Sequence, residues 1–312
     1  MTKAEEPDAL IDRIIKANTQ IPAKGCRAQH AKHGGHHRAT FKVHALDDTD
    51  PALAQGLFAT PASYTAVIRY SNGKEQDAAK PDVHGMAIKI HADPGERLLT
   101  DPDDACAIDF VLVDVDTFFS DDLGDYTIVN EKLVPLLQRK QTSDDAFSFW
   151  EALGGLVGTI FTLRTLDDAL RLFRFRGEKE PISKVKRWHL EYSSATPYRL
   201  GDIGPVKYKI LACEATSEAS VVEVAFCIER PSNPRDVDIE MPSYSWADVS
   251  DLVTVATLAI ETDPGSAPDL DVEHLRFNPW HVPPEHEPLG AINAARKKVY
   301  DTLADKRQRE HA

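Results

Sequence analysis

The chain has 312 residues, 42% of them hydrophobic and 28% charged, with a formal net charge of −14. That length and apolar share support one large folded core, while the acidic balance argues against nucleic acid and anionic lipid, which reward clustered Lys and Arg. No run approaches the roughly 18 apolar residues of a membrane span, and the opening MTKAEEPDALIDR lacks the basic start and apolar stretch of a secretory signal, so a soluble, cytoplasmic protein is expected. Four scattered cysteines, Cys26, Cys106, Cys213 and Cys227, form no CxxC pair and read as reduced thiols rather than zinc ligands or disulfides.

In chain order, residues 8 to 16 place Leu10, Ile11, Ile14 and Ile15 at helical spacing, which predicts an amphipathic helix ending before Pro22. From 39 to 114 the apolar residues fall in short β-branched runs, ATFKVHAL, YTAVIRYS, HGMAIKIH and AIDFVLVD, divided by Gly, Pro and Asp clusters; these read as four strands. Between about 127 and 176 the spacing turns helical. Strand-like runs return at RWHLEY, VKYKILAC, SVVEVAFCIE and LVTVATLAIE without βα alternation, so antiparallel pairing is expected. NPWHVPPEHEPLG, 278 to 290, must be irregular because its prolines fix φ and remove donors. AINAARKKVYDTLADKRQREH then reads as one terminal helix. The acidic pairs Asp103-Asp104, Asp121-Asp122 and Asp144-Asp145 lie in turn-like contexts and read as solvated.

Two stretches stand out chemically. CRAQHAKHGGHHRATFKVH, 26 to 44, gathers His30, His33, His36, His37 and His44. Imidazoles at this density suit Zn²⁺, Ni²⁺ or Cu²⁺, although the HxxHxxHH spacing is no specific motif, and His36, His37 and His44 read more simply as exposed residues flanking a strand. Similarly, Trp280 and His281 read as packing and capping the irregular loop. On the terminal helix, Arg296, Tyr300 and Arg307 fall within roughly 40° of one another, so one stripe carries two guanidiniums and a phenol.

RKKVYDTLADKR, residues 296 to 307, resembles the proximal signature of the haem catalases, an Arg, a Tyr four residues on and an Arg seven beyond. The resemblance implies Tyr300 as phenolate ligand to iron, Arg296 stabilising it and Arg307 on a haem propionate; a phenol of ordinary pKa near 10 needs both metal and cation for this. RAQHAK, 27 to 32, resembles the family's Arg, two residues, His-Ala-Lys, implying Arg27 on a propionate and His30 as distal acid–base group. RYS, 69 to 71, is similar to Arg-Phe-Ser, implying Arg69 on a propionate and Ser71 accepting a hydrogen bond that orients the distal His. DVHGMAIK, 82 to 89, resembles the strand that follows.

The likeness covers about 24 to 119 and 275 to 309, and NPWHVPPEHEPLG with the Tyr helix resembles a compact branch lacking the flavodoxin-like C-terminal domain. It departs at DFVLVDVDTFF, 109 to 119, where Asp114 or Val113 replaces the family's distal Asn. An ionised carboxylate cannot donate that residue's hydrogen bond, so Asp114 would be protonated or act as a base beside His30.

The resemblance implies an α+β fold: a closed antiparallel β-barrel of the catalase type with inserted helices and a C-terminal helix carrying the haem ligand. One domain spans 1–312, with a helical arm to 23, barrel and insert over 24–270, and the loop and proximal helix over 271–312. The expected cofactor is haem b, iron protoporphyrin IX, and the expected function is peroxide processing by a peroxidase or weak catalase, on hydrogen peroxide or organic hydroperoxides. The alternatives are a catalytically inert haem-binding or sensor protein of the same fold and a His-cluster metal protein. No nucleic acid or membrane partner is expected; relatives of this kind commonly form homo-oligomers.

Overall fold

The computed structural model describes residues 6–19, 33–46, 50–73, 82–93, 95–102, 104–133, 171, 174–175, 179–181, 183–214, 219–263 and 274–311. A meander of β1 (His33–Val43), β2 (Ser63–Asn72), β3 (His84–His91) and β4 (Ala107–Val113) forms half of the sheet. The other half comprises β5 (Tyr192–Ser193), β7 (Gly204–Ile210), β8 (Val221–Pro231) and β9 (Ser250–Glu261), with β6 (Tyr198–Leu200) hairpinned onto β7. Strand β9 pairs with β1, and β5 bridges β4 to β7, so eight antiparallel strands close into a barrel.

Period-2 alternation builds this wall. Phe41, Ile68, Tyr70, Met86, Ile88, Ile90, Ile108, Phe110, Leu112, Tyr208, Phe226 and Leu258 all point inward into one core cluster and are at most 1% exposed. Each contributes roughly 1.5–3 kcal/mol by leaving water. The four runs assigned to strands between 39 and 114 are β1 to β4. RWHLEY is mostly not a strand: Arg187–His189 form a 3₁₀ turn and only Tyr192 enters the sheet. Strand β6 was not foreseen.

Outside the barrel, α1 (Pro7–Thr19) packs its Ile11 and Ile14 with Tyr126 of α2 (Leu123–Ile128) and with Ile292, Ala295 and Val299 of α3 (Ala291–His311). Helix α2 starts where Asp122 accepts from the amides of Gly124 and Asp125, and Asp121 takes the Ser243 amide at 2.8 Å. These two acids therefore have structural work, contrary to the solvated reading, while Asp103, Asp144 and Asp145 lie outside the described residues. The chain continues from α2 into a π-helical turn, Val129–Leu133; most of the expected helical insert lies outside the described residues.

Helix α3 begins after Gly290, whose φ of +87° and close approach to the Ile239 carbonyl, 2.6 Å from where a Cβ would sit, exclude a side chain. The Glu240 carboxylate accepts from the Ala291 amide, a favourable charge at a helix N-terminus.

Candidate functional site

Alternation that turns apolar side chains inward turns a second set outward. Cross-strand partners on β2, β3 and β4 form three outward rows: Val67, Lys89 and Asp109; Arg69, Ala87 and Val111; Ser71, Gly85 and Val113. Successive rows lie about 7 Å apart along a strand. Gly85 and Ala87 have little side chain, so the middle of this face is a shallow floor, edged by Arg69 and Ser71 on β2 and by Val111 and Val113 on β4. Arg69 and Ser71 are buried.

The first row moors α3 to this face. Asp109 accepts from the Asn278 amide at 3.0 Å and meets His281 Nδ1 at 2.7 Å, and its own amide donates to the His281 carbonyl. The loop so fixed holds the helix: Trp280 Nε1 donates to Asn293 O and Asn278 Nδ2 donates to Lys297 O. His281 thus does more than cap the loop; it closes a buried ionic cluster with Asp101, Asp109 and Lys89, whose ammonium lies 2.9 and 2.8 Å from Asp101 and Asp109. Burial alone would lower the Lys89 pKa, but the two carboxylates raise it; burial alone would raise Asp109, but Lys89 and His281 hold it low. Sequence reasoning gave neither residue a role, although a Lys and an Asp inside the apolar runs HGMAIKIH and AIDFVLVD were the available signal.

On α3 the stripe is present. Arg296 is buried, and Nη1 donates to Thr196 Oγ1 at 3.1 Å and to Asn293 Oδ1 at 2.9 Å. Its Nη2 lies 3.4 Å from the Tyr300 hydroxyl, and its Cζ is 5.3 Å from that ring's centroid. Burial alone would lower the Arg296 pKa; the Tyr300 and Tyr198 phenols reverse this and raise it. Tyr300 is half-buried, and among the described residues its hydroxyl meets only this guanidinium. Arg307 is buried a further two turns along, donating to Leu275 O at 3.0 Å. Tyr126 and Tyr198 flank the same guanidinium; burial pushes both phenols up to about 12.

The remaining expected site residues divide. Arg27 and His30 lie outside the described residues. Asp114 does not stand in the row of Ser71 and Val113: its carboxylate accepts from the His84 amide and meets His84 Nδ1, each at 2.8 Å, with Lys179 Nζ 3.4 Å away. The placement puts Val113, not Asp114, at the outward position beside Gly85 and Ser71. His37 is buried, its Nδ1 2.6 Å from the Glu261 carbonyl, and His44 is bonded to Thr257, so neither is the exposed bystander expected. His36 and His37 are adjacent on β1 and leave opposite faces, which prevents the two from sharing an ion. Among the described residues the donor group with metal-like spacing is Asp101, Asp109 and His281, and the Lys89 ammonium already stands against its carboxylates.

The structure is similar to two solved catalases. "Crystal structure of a Fungal Catalase at 1.9 Angstrom" aligns with TM-score 0.66 at 14% identity, over 90% of this chain and 59% of the other. Catalase A from Saccharomyces cerevisiae aligns with TM-score 0.63 at 14% identity, over 90% and 61%. The chain has the catalase fold, and it spans about three fifths of the length of these neighbours. No family model and no curated protein matches the sequence. Among the described residues, no helix is long and apolar enough to cross a membrane.

Proposed function

We propose that this chain is a haem-dependent peroxide-processing protein, a peroxidase or weak catalase acting on hydrogen peroxide or organic hydroperoxides. The observation that carries the reading is the pairing of Tyr300 with the buried Arg296 on a helix moored to the outward face that carries Arg69 and Ser71. The donor set fits haem b. A phenol beside a permanent cation suits ligation of ferric iron, and guanidiniums suit carboxylates. Tyr300 would ligate the iron, and Arg69 and Arg307, with Arg27, would hold the propionates. When bound, the haem supplies the redox chemistry for breaking an O–O bond.

The protein's own groups do the rest. Arg296 sets a permanent positive charge beside the Tyr300 hydroxyl, and Thr196 and Asn293 fix the guanidinium so that its second nitrogen stays toward Tyr300. As the resemblance implies, the Ser71 hydroxyl would orient the His30 ring. His30 takes a proton from the nearer peroxide oxygen and returns it to the departing one. Asp114, bonded to His84, acts on this site only by fixing the end of β4. Full-length protein made with adequate haem should show a high-spin ferric spectrum with phenolate ligation, and Tyr300→Phe should lose that signature. A protein that stays colourless and refuses added haemin overturns the proposal.

A second reading, an inert haem carrier or sensor, is favoured by Val113. An apolar side chain in the row of Ser71 cannot donate a hydrogen bond to a bound peroxide. A haem spectrum without oxygen evolution, and without oxidation of an aromatic donor by organic hydroperoxides, would select it.

A further inference from the structure

On the inner side of the wall, opposite Arg69 and Ser71, one end of the barrel carries a cluster of polar side chains. His84 begins β3, the Asp114 amide donates to the His84 carbonyl, and the Val113–Ser193 pairing sets Tyr192 next to Asp114. One step inward Tyr70 has its ring 6.1 Å from that of Tyr192. The Arg187 guanidinium lies 5.8 Å from the Tyr70 centroid, and the His37 ring meets the Tyr70 edge at 5.6 Å.

These groups do not satisfy one another. Among the described residues the Tyr192 hydroxyl, His84 Nε2, Arg187 Nε and Trp188 Nε1 are all buried without a hydrogen-bond partner. Tyr192 and His84 are each 2% exposed. The first three of these atoms gather around Tyr70 and Asp114, which is unusual, since buried polar atoms are normally paired. Arg187 has no carboxylate within ion-pair distance among the described residues, because Asp114 is held by His84 and Lys179. Among the described residues, Arg187 faces two phenols that burial keeps neutral. Arg187 is itself half-exposed, so solvent reaches this end of the barrel.

We propose that this end of the barrel binds a small monocarboxylate with a flat apolar body, the carboxylate on Arg187 and the Tyr192 hydroxyl, the body against the Tyr70 ring. A planar guanidinium fork suits a carboxylate in two-point contact, and the phenol supplies a third donor. The site does not depend on the haem reading, since its residues lie on the inner side of the wall.

Sodium benzoate is the probe, titrated into the full chain by calorimetry and by Trp188 fluorescence, with Trp188→Phe to assign the signal. Saturable binding at one site is expected. Benzamide, the neutral isostere, and Arg187→Gln should each weaken it at least about tenfold. Tyr192→Phe should weaken it by a smaller factor, and Arg187→Lys should retain part of it, which separates lost contact from lost fold. In haem-loaded protein the Soret band should not move on saturation. Absence of saturable binding by a folded chain, equal affinity for benzamide, or a Soret shift that survives Arg187→Gln would each overturn the site.

Discussion

Lys89→Met tests whether the ionic cluster on the outward face holds the site together. The ammonium contacts Asp109 at 2.8 Å and Asp101 at 2.9 Å, with every side chain at most 1% exposed, so water does not screen its loss. Methionine nearly matches the volume but leaves two buried carboxylates facing each other. Breaking such a pair costs about 3–5 kcal/mol, and at roughly 2 °C per kcal/mol for a chain of this size the melting temperature should fall by about 6–10 °C. The pH dependence has a definite sign. In the native protein the Asp109 pKa lies below its ordinary value, so its stabilisation is present above the unfolded carboxylate pKa and is lost as pH falls through the folded one. Without Lys89, burial pushes Asp109 upward instead, so the deficit of the variant should shrink as pH is lowered from neutral toward about 5. Urea unfolding at both pH values measures it. A loss below about 1 kcal/mol, or one independent of pH, would refute the reasoning.

Replacing Arg296 with Met should remove donors from Thr196 and Asn293, cost about 1–3 kcal/mol, and shift the haem spectrum away from phenolate; an unchanged spectrum would dissociate Arg296 from Tyr300. Val113→Asn should raise oxygen evolution from hydrogen peroxide, measured at equal haem content, and no gain would remove Val113 as the limiting feature. His30→Ala should retain the haem spectrum and lose peroxide turnover. His286 is fully buried, its Nε2 accepting from the Leu57 amide and its Nδ1 2.6 Å from the Tyr208 hydroxyl, and burial lowers its pKa from 6.5 to about 3. The unfolded chain therefore takes up the proton first, and stability should fall by about 1.4 kcal/mol per pH unit between those values. His286→Gln should flatten that slope in urea titrations, and an unaltered slope would locate the acid sensitivity elsewhere.

Much of the fold was legible because long strands write a strong period. β1 to β4, β8 and β9 each carry several inward apolar residues in alternation. Strand β5, with two residues, and β6, with three, are shorter than any periodic signal; β5 exists through pairing with β4 and β7, and β6 through its hairpin with β7. The α3 stripe was legible from spacing because a helix imposes its angle on Arg296 and Tyr300. Asp114 was not, since one residue past a strand end the alternation no longer fixes direction and the contact with His84 decides it. His37 was misjudged because a histidine-rich string looks solvated, yet it continues the inward sequence of Ala39, Phe41 and Val43. Even the buried cluster had a trace, one charge each in two neighbouring apolar strands, but pairing them required the β3–β4 register.

The β1–β9 seam has a consequence for how the protein is made. The first strand of the wall emerges early from the ribosome, while its outer neighbour is among the last sheet segments to be synthesised. Until then β1 offers unpaired amides and carbonyls along an open border, a template that other nascent chains can extend. Chaperone capture during translation, more than final stability, should therefore govern the yield of folded molecules.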